Sequence, residues 1–136
     1  MKVIGLDGRS HNLQFNKNIR QCSKGHEKAR NLLKVIFPND FIYEEVTLKG
    51  TKKFNKPDLY ADFIIPAHRV LVEVHGNQHY EQNNFFHDSK VDFIEGQKRD
   101  KRKIEWCQLN NITYIELPCK ENEDEWRRRI SDGISS

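Results

Sequence analysis

Within the stretch LVEVHGNQHY, residues 71–80, an apolar strand of Leu71, Val72 and Val74 carries Glu73 and His75, and His79 follows four residues later. A second apolar stretch, DLYADFII (58–65), lies just upstream and is joined to it by PAHR (66–69). A four-residue connection is short enough for an antiparallel hairpin. If Ile65 faces Val70, then Asp62 faces Glu73, and opposed Cβ atoms stand roughly 4.5–5.5 Å apart. Strand side chains alternate between faces, so His75 shares the face of Glu73. Two carboxylates this close need a shared proton, a divalent cation, or a different register that turns both to solvent. Mg²⁺ suits hard oxygen ligands and commonly takes one or two protein carboxylates with waters and phosphate oxygens. A neutral imidazole beside such an ion has the pKa to move a proton near neutrality.

The rest of the chain must position these groups. KVIGL and HNLQF flank a turn at Asp7-Gly8-Arg9-Ser10, an N-terminal β-hairpin within residues 1–20. Ser23 can cap a helix over 23–37, with Ala29, Leu32, Leu33 and Ile36 at helical spacing and Pro38 as its stop. FIYEEVTL (41–48) and ITYIEL (112–117) read as strands, and Pro118 ends the latter. Residues 81–97 read as a long polar loop, with a partly helical segment as the alternative, 98–111 as a basic helix, and 122–132 as a charged C-terminal helix around Trp126 and Ile130. The order implies a single α+β (mixed α/β) domain with a mixed central sheet flanked by helices.

The chain has 136 residues, 36% hydrophobic and 32% charged, with a formal net charge of +3. That length supports a core without metal or disulfide staples. The weak positive charge is compatible with nucleic acid. No run approaches a membrane span, and MKVIGLDGRS lacks the apolar run of a signal peptide. The expectation is a cytoplasmic protein, in a bacterial or phage-infected cell, with no membrane partner. Cys22, Cys107 and Cys119 form no CxxC pair, so reduced thiols are expected.

Asp62 followed after ten residues by Glu73-Val74-His75 resembles the PD-(D/E)XK nuclease core, with His75 where the usual lysine would stand. VEVHGNQHY is similar to the VHG…H segment of very-short-patch-repair (Vsr-like) endonucleases and to phage homing endonucleases with an EDxHD site. PDLYADF, GQKRDKRKIEWCQLNNITYIEL (96–117) and SKGHEKARNLL (23–33) agree in order, so the resemblance covers roughly 23–119, with 120–136 as a C-terminal addition. It implies a restriction-endonuclease-like fold and a Mg²⁺-dependent DNA endonuclease (Mn²⁺ as a substitute) that hydrolyses phosphodiesters with metal-activated water. Carried over, Asp62 is the central metal ligand. The Val74 carbonyl adds a second, and Glu73 fits the acidic position. His75 and His79 handle protons, Asp100 orients a histidine or bound water, and Glu27 approaches through water.

The repair enzymes' structural zinc is not expected, because residues 77–84 hold no cysteine and Cys119 alone cannot hold zinc. Glu27 in a first helical turn is otherwise a surface carboxylate favoured by the helix dipole. Asp100 is otherwise one charge in a solvated run. It shares a helical face with Ile104 and Cys107, so if those two pack inward it points to the core edge.

The expected partner is double-stranded DNA, met by a monomer or homodimer, with an accessory recognition protein where long-site specificity is needed. Lys49, Lys52, Lys53, Lys56, Lys98, Arg99, Lys101, Arg102, Lys103 and Arg127–Arg129 suit phosphate contacts. Asn77, Gln78, Gln82, Asn83 and Asn84 could read base edges, and Phe85 and Phe86 could stack on or wedge between bases. The competing readings are a non-catalytic DNA-binding module, a branched-DNA resolvase and a metal-binding structural protein using His75, His79 and His87 with a cysteine.

Overall fold

A four-stranded sheet in the order β3-β4-β5-β6 organises the computed structural model, which describes residues 1–15, 23–53, 56–76 and 87–135. The chain runs β1 (Lys2–Ile4), β2 (Ser10–Asn12), α1 (Lys24–Ile36), β3 (Tyr43–Leu48), β4 (Leu59–Ile65), β5 (Val70–His75), α2 (His87–Leu109), β6 (Thr113–Pro118) and α3 (Glu123–Ser135). β3, β4 and β5 pair antiparallel, whereas β5 and β6 pair parallel. A parallel pair needs a crossover, and the long α2 lies in it. The fold is α+β, with a mixed sheet, three helices and a small N-terminal hairpin.

The β4–β5 register is the expected one: Ile65 faces Val70, Ile64 faces Leu71 and Phe63 faces Val72. The connection is a 3-10 turn at Pro66–His68 closed by Arg69 in the left-handed region, φ 50°. The Arg69 guanidinium donates to the carbonyls of Asn110 and Asn111, tying the hairpin tip to the turn before β6.

The core has two halves. Ala29, Leu32 and Leu33 of α1 pack with Trp126 and Ile130 of α3 on Phe63, Ile65, Val70 and Val72. Trp106 and Cys107 of α2 pack with Leu71, Ile64 and Val46 on the other half, joined by Val3 and Leu13 of the N-terminal hairpin. The hairpin is therefore part of the core. Asn110 clamps it, accepting from the Ile4 N–H at 2.7 Å and donating to the Ile4 carbonyl at 2.8 Å. Gly5 meets Gly50 backbone to backbone, and a Cβ on either would land on the other's Cα.

Several expectations need correction. Residues 87–97 are the first half of α2, not loop. Val91 and Ile94 are exposed there, so no apolar stripe marks this half as helix. Ile104 does not pack inward, at 36% exposed, although Cys107 does. Pro118 lies inside β6 rather than beyond it, paired with His75 at the end of the parallel ladder. The strand expected at 41–48 begins at Tyr43, and the C-terminal helix runs on to Ser135. Among the described residues no helix is long and apolar enough to cross a membrane.

Candidate functional site

Asp62 lies on β4 between Ala61 of one core half and Phe63 of the other. Its Oδ2 accepts from the Val74 N–H at 2.8 Å, so its carboxylate bonds the β5 backbone just past the end of the β4–β5 ladder. Glu73 lies beside it, only 3% exposed, so the alternative in which both acids face solvent falls away. Burial pushes the Glu73 carboxyl well above its ordinary range, and the neighbouring Asp62 charge and hydrogen bond add to this. The Lys103 ammonium on Glu73 Oε1 opposes the shift without cancelling it. The two acids therefore form a pair that holds a proton or attracts a cation.

Lys103 was expected on DNA phosphates. It lines the groove described below and is at the same time a mostly buried ion-pair partner delivered by α2. One turn earlier, Asp100 reaches His75, with Oδ1 3.7 Å from Nε2. His75 is buried, with Nδ1 2.7 Å from Glu116 Oε1 and Nε2 3.1 Å from the Tyr114 hydroxyl. Burial and the surrounding carboxylates push the Tyr114 phenol up, so it stays a donor. His75 donates from Nδ1 to the Glu116 carboxylate, and its Nε2 shares a hydrogen bond with the Tyr114 hydroxyl. Under these groups the Cys107 thiol is pushed up to about 12, chiefly by burial, and is inert.

The other flank comes from α1, where Glu27 was expected to approach through water. Glu27 is exposed. His26 is buried and turns to the site, with Nε2 2.7 Å from Glu44 Oε1 and Nδ1 3.9 Å from Asp62 Oδ1. Arg30 grips both Glu44 oxygens, through Nε and a terminal nitrogen, each at 2.8 Å. Burial works to raise the Glu44 carboxyl, but the bonds from Arg30 and His26 outweigh it and hold it low. The signal was available: His26, Ala29 and Leu33 recur at helical spacing, so His26 belongs to the buried stripe.

An open groove of about 1260 Å³ runs past Asp62. Of the expected DNA contacts, Lys53, Lys56, Lys98, Arg99, Lys101 and Arg102 line it. Lys52 is exposed nearby, its N–H bonded to Asp58. Arg102 Nε is buried and has no hydrogen-bond partner among the described residues, a donor that an anion could satisfy. Arg127 and Arg129 instead pair with Glu123 and Glu121 around α3. His79, Asn77 and Gln78, with Gln82, Asn83, Asn84, Phe85 and Phe86, lie outside the described residues.

Among the described residues no group of three or more His, Cys, Asp and Glu side chains is arranged to hold a metal ion. A divalent cation would rest on the Asp62 and Glu73 carboxylates and the Val74 carbonyl, an all-oxygen set of the kind Mg²⁺ accepts. The buried, charge-poor Glu73 is the observation that fits such an ion.

No protein-family model and no solved structure matches the chain. Over 79 residues it is 38% identical to "Uncharacterized protein 307L" of Invertebrate iridescent virus 6, covering 58% of this chain and 39% of that protein. Over 61 residues it is 38% identical to "Uncharacterized protein 033L" of Invertebrate iridescent virus 3, covering 45% of this chain and 31% of that protein. The chain thus spans less than half the length of either curated relative.

Proposed function

We propose that this chain is a Mg²⁺-dependent DNA endonuclease of the PD-(D/E)XK type, resembling Vsr-like and EDxHD enzymes. The observation that carries the reading is the Asp62–Glu73 pair, one acid buried and destabilised as an anion, at the side of a groove walled by lysines and arginines. The groove cations hold the DNA backbone, giving affinity rather than sequence. Arg102 Nε supplies a donor for a phosphate oxygen.

Asp62, Glu73 and the Val74 carbonyl hold the cation. Bound there, Mg²⁺ supplies Lewis-acid stabilisation of charge at phosphorus and lowers the pKa of a water. His75 moves a proton at the scissile phosphate, oriented by Glu116 and Tyr114. Lys103 brings to Glu73 the ammonium that the general pattern carries on the strand itself, where this chain has His75. It neutralises Glu73 and faces the groove, positioned to stabilise negative charge developing on the phosphate.

The test is nicking of supercoiled plasmid by wild type and Asp62→Ala with Mg²⁺. The expected result is nicking by wild type that chelator or Asp62→Ala abolishes. If wild type cuts neither linear nor branched DNA with Mg²⁺ or Mn²⁺, the nuclease reading fails and a DNA-binding module replaces it. Nicking retained by Asp62→Ala means the site lies elsewhere.

A further inference from the structure

The groove beside Asp62 carries more than charge. Tyr60 lines it and is 56% exposed, although Leu59 and Ala61 on either side of it in β4 are buried. Leu6, from the turn of the N-terminal hairpin, lines it too and is 38% exposed. Neither has a part in the mechanism above. Phe41, another exposed aromatic, spends one face on Tyr43, with ring centroids 6.1 Å apart and planes at 19°. The Tyr60 ring has no such partner among the described residues.

One exposed apolar side chain is ordinary on a protein surface. The setting of Tyr60 is not. Lys53 and Lys56 precede β4, and Arg99 and Arg102 come from α2, so cations from two separate elements share the groove with the ring. A cationic channel with an aromatic face inside it is what single-stranded nucleic acid needs: the backbone follows the charges and a base stacks on the ring, whatever the sequence. A closed duplex keeps its base faces in its own stack and offers only backbone and base edges. Tyr60 and Asp62 are two residues apart on one strand, about 6.6 Å of rise. A base on Tyr60 therefore belongs to a nucleotide next to the phosphate at Asp62.

We infer that the groove takes a single-stranded segment of DNA, with Tyr60 as the platform on which the unpaired base beside the scissile phosphate stacks and Leu6 as an apolar wall next to it. This rests on the reading of the groove as a DNA channel and narrows it: the substrate is DNA unpaired at the cut rather than closed duplex. Tyr60 is then a specificity residue, acting on the strand's base while the lysines and arginines act on its phosphates.

The test is run on the full chain in chelator, so that neither a cation nor cleavage enters it. Fluorescence anisotropy compares an intact DNA duplex with the same duplex carrying a short single-stranded gap. A gap containing 5-iododeoxyuridine is photocrosslinked to the protein, and the adduct is mapped by mass spectrometry. The expected results are tighter binding of gapped DNA, an adduct on Tyr60, and roughly 10-fold weaker binding of gapped DNA by Tyr60→Ala, with a smaller loss on intact duplex. Tyr60→Trp should keep the preference for gapped DNA, since any aromatic face serves. Intact duplex bound as tightly as gapped, an adduct in wild type that spares Tyr60, or a Tyr60→Ala loss that is nil or equal on both DNAs overturns the inference. Each of these leaves plasmid nicking, and the nuclease reading, standing. Wild type that binds neither DNA overturns the inference together with the DNA channel it rests on.

Discussion

Two histidine–carboxylate pairs flank the acidic pair, and they share a length but not a setting. His26–Glu44 and His75–Glu116 are both 2.7 Å contacts on nearly buried rings. Behind His26, Glu44 is 10% exposed and locked by Arg30. Behind His75, Glu116 is 33% exposed, and the far nitrogen meets the Tyr114 hydroxyl. One ring is held between a locked carboxylate and Asp62, and the other between a partly exposed carboxylate and a phenol hydroxyl. What lies behind a histidine, rather than the length of its hydrogen bond, separates the two settings.

The sharpest way to break that contrast is to swap each ring for an amide. His75→Gln should cut the single-turnover nicking rate by roughly 10²–10⁴-fold while Mn²⁺ affinity stays put. His26→Gln, which leaves His75 and the acidic pair in place, should cost far less. If the two variants behave alike, the division of labour is wrong.

Next in size is the cation between the flanks. Lys103→Met leaves Glu73 buried without its partner, which should cost about 3 kcal/mol at neutral pH. Urea denaturation should show the loss shrinking as pH falls and Glu73 takes a proton, and on adding Mg²⁺.

A smaller effect follows from Glu73 alone. Its folded pKa is raised above the ordinary 4.5, so its contribution is fully present below that value and is lost as pH climbs through the raised one. Cation-free protein should lose stability over that window, at up to about 1.4 kcal/mol per pH unit. Thermal melts of Glu73→Gln should show a flatter profile. Smallest of all, Arg127→Ala, on an exposed helical pair with Glu123, should change stability by no more than about 0.5 kcal/mol and leave nicking unchanged.

Much of the acidic pair was legible because its logic is local. A four-residue link between two apolar strands left few registers, and the alternation of Ile65, Phe63, Val70 and Val72 against Ile64 and Leu71 chose one. Asp62, Glu73 and His75 followed from that register, and Asp100 from one helical face. Glu44, Lys103, Tyr114 and Glu116 were not legible as site residues. Their contacts span 18 to 41 positions and depend on how helices seat on the sheet, which no local period encodes. His26 was an intermediate case, since its own helix's stripe marks it as buried. The first half of α2 was missed because its apolar residues are exposed, so the helix rests there on continuity with the half that carries Trp106 and Cys107.

The back-to-back contact of Gly5 and Gly50 has a consequence for the molecule's history. A side chain at either position would push the N-terminal hairpin off the turn after β3, and with it Val3 and Leu13. Neither glycine can drift while the other stays useful, so the two should be inherited or lost together. A homologue with any other residue at the Gly50 position should be one whose first strands were never added, or were discarded, and the pair serves as a marker for sorting such lineages.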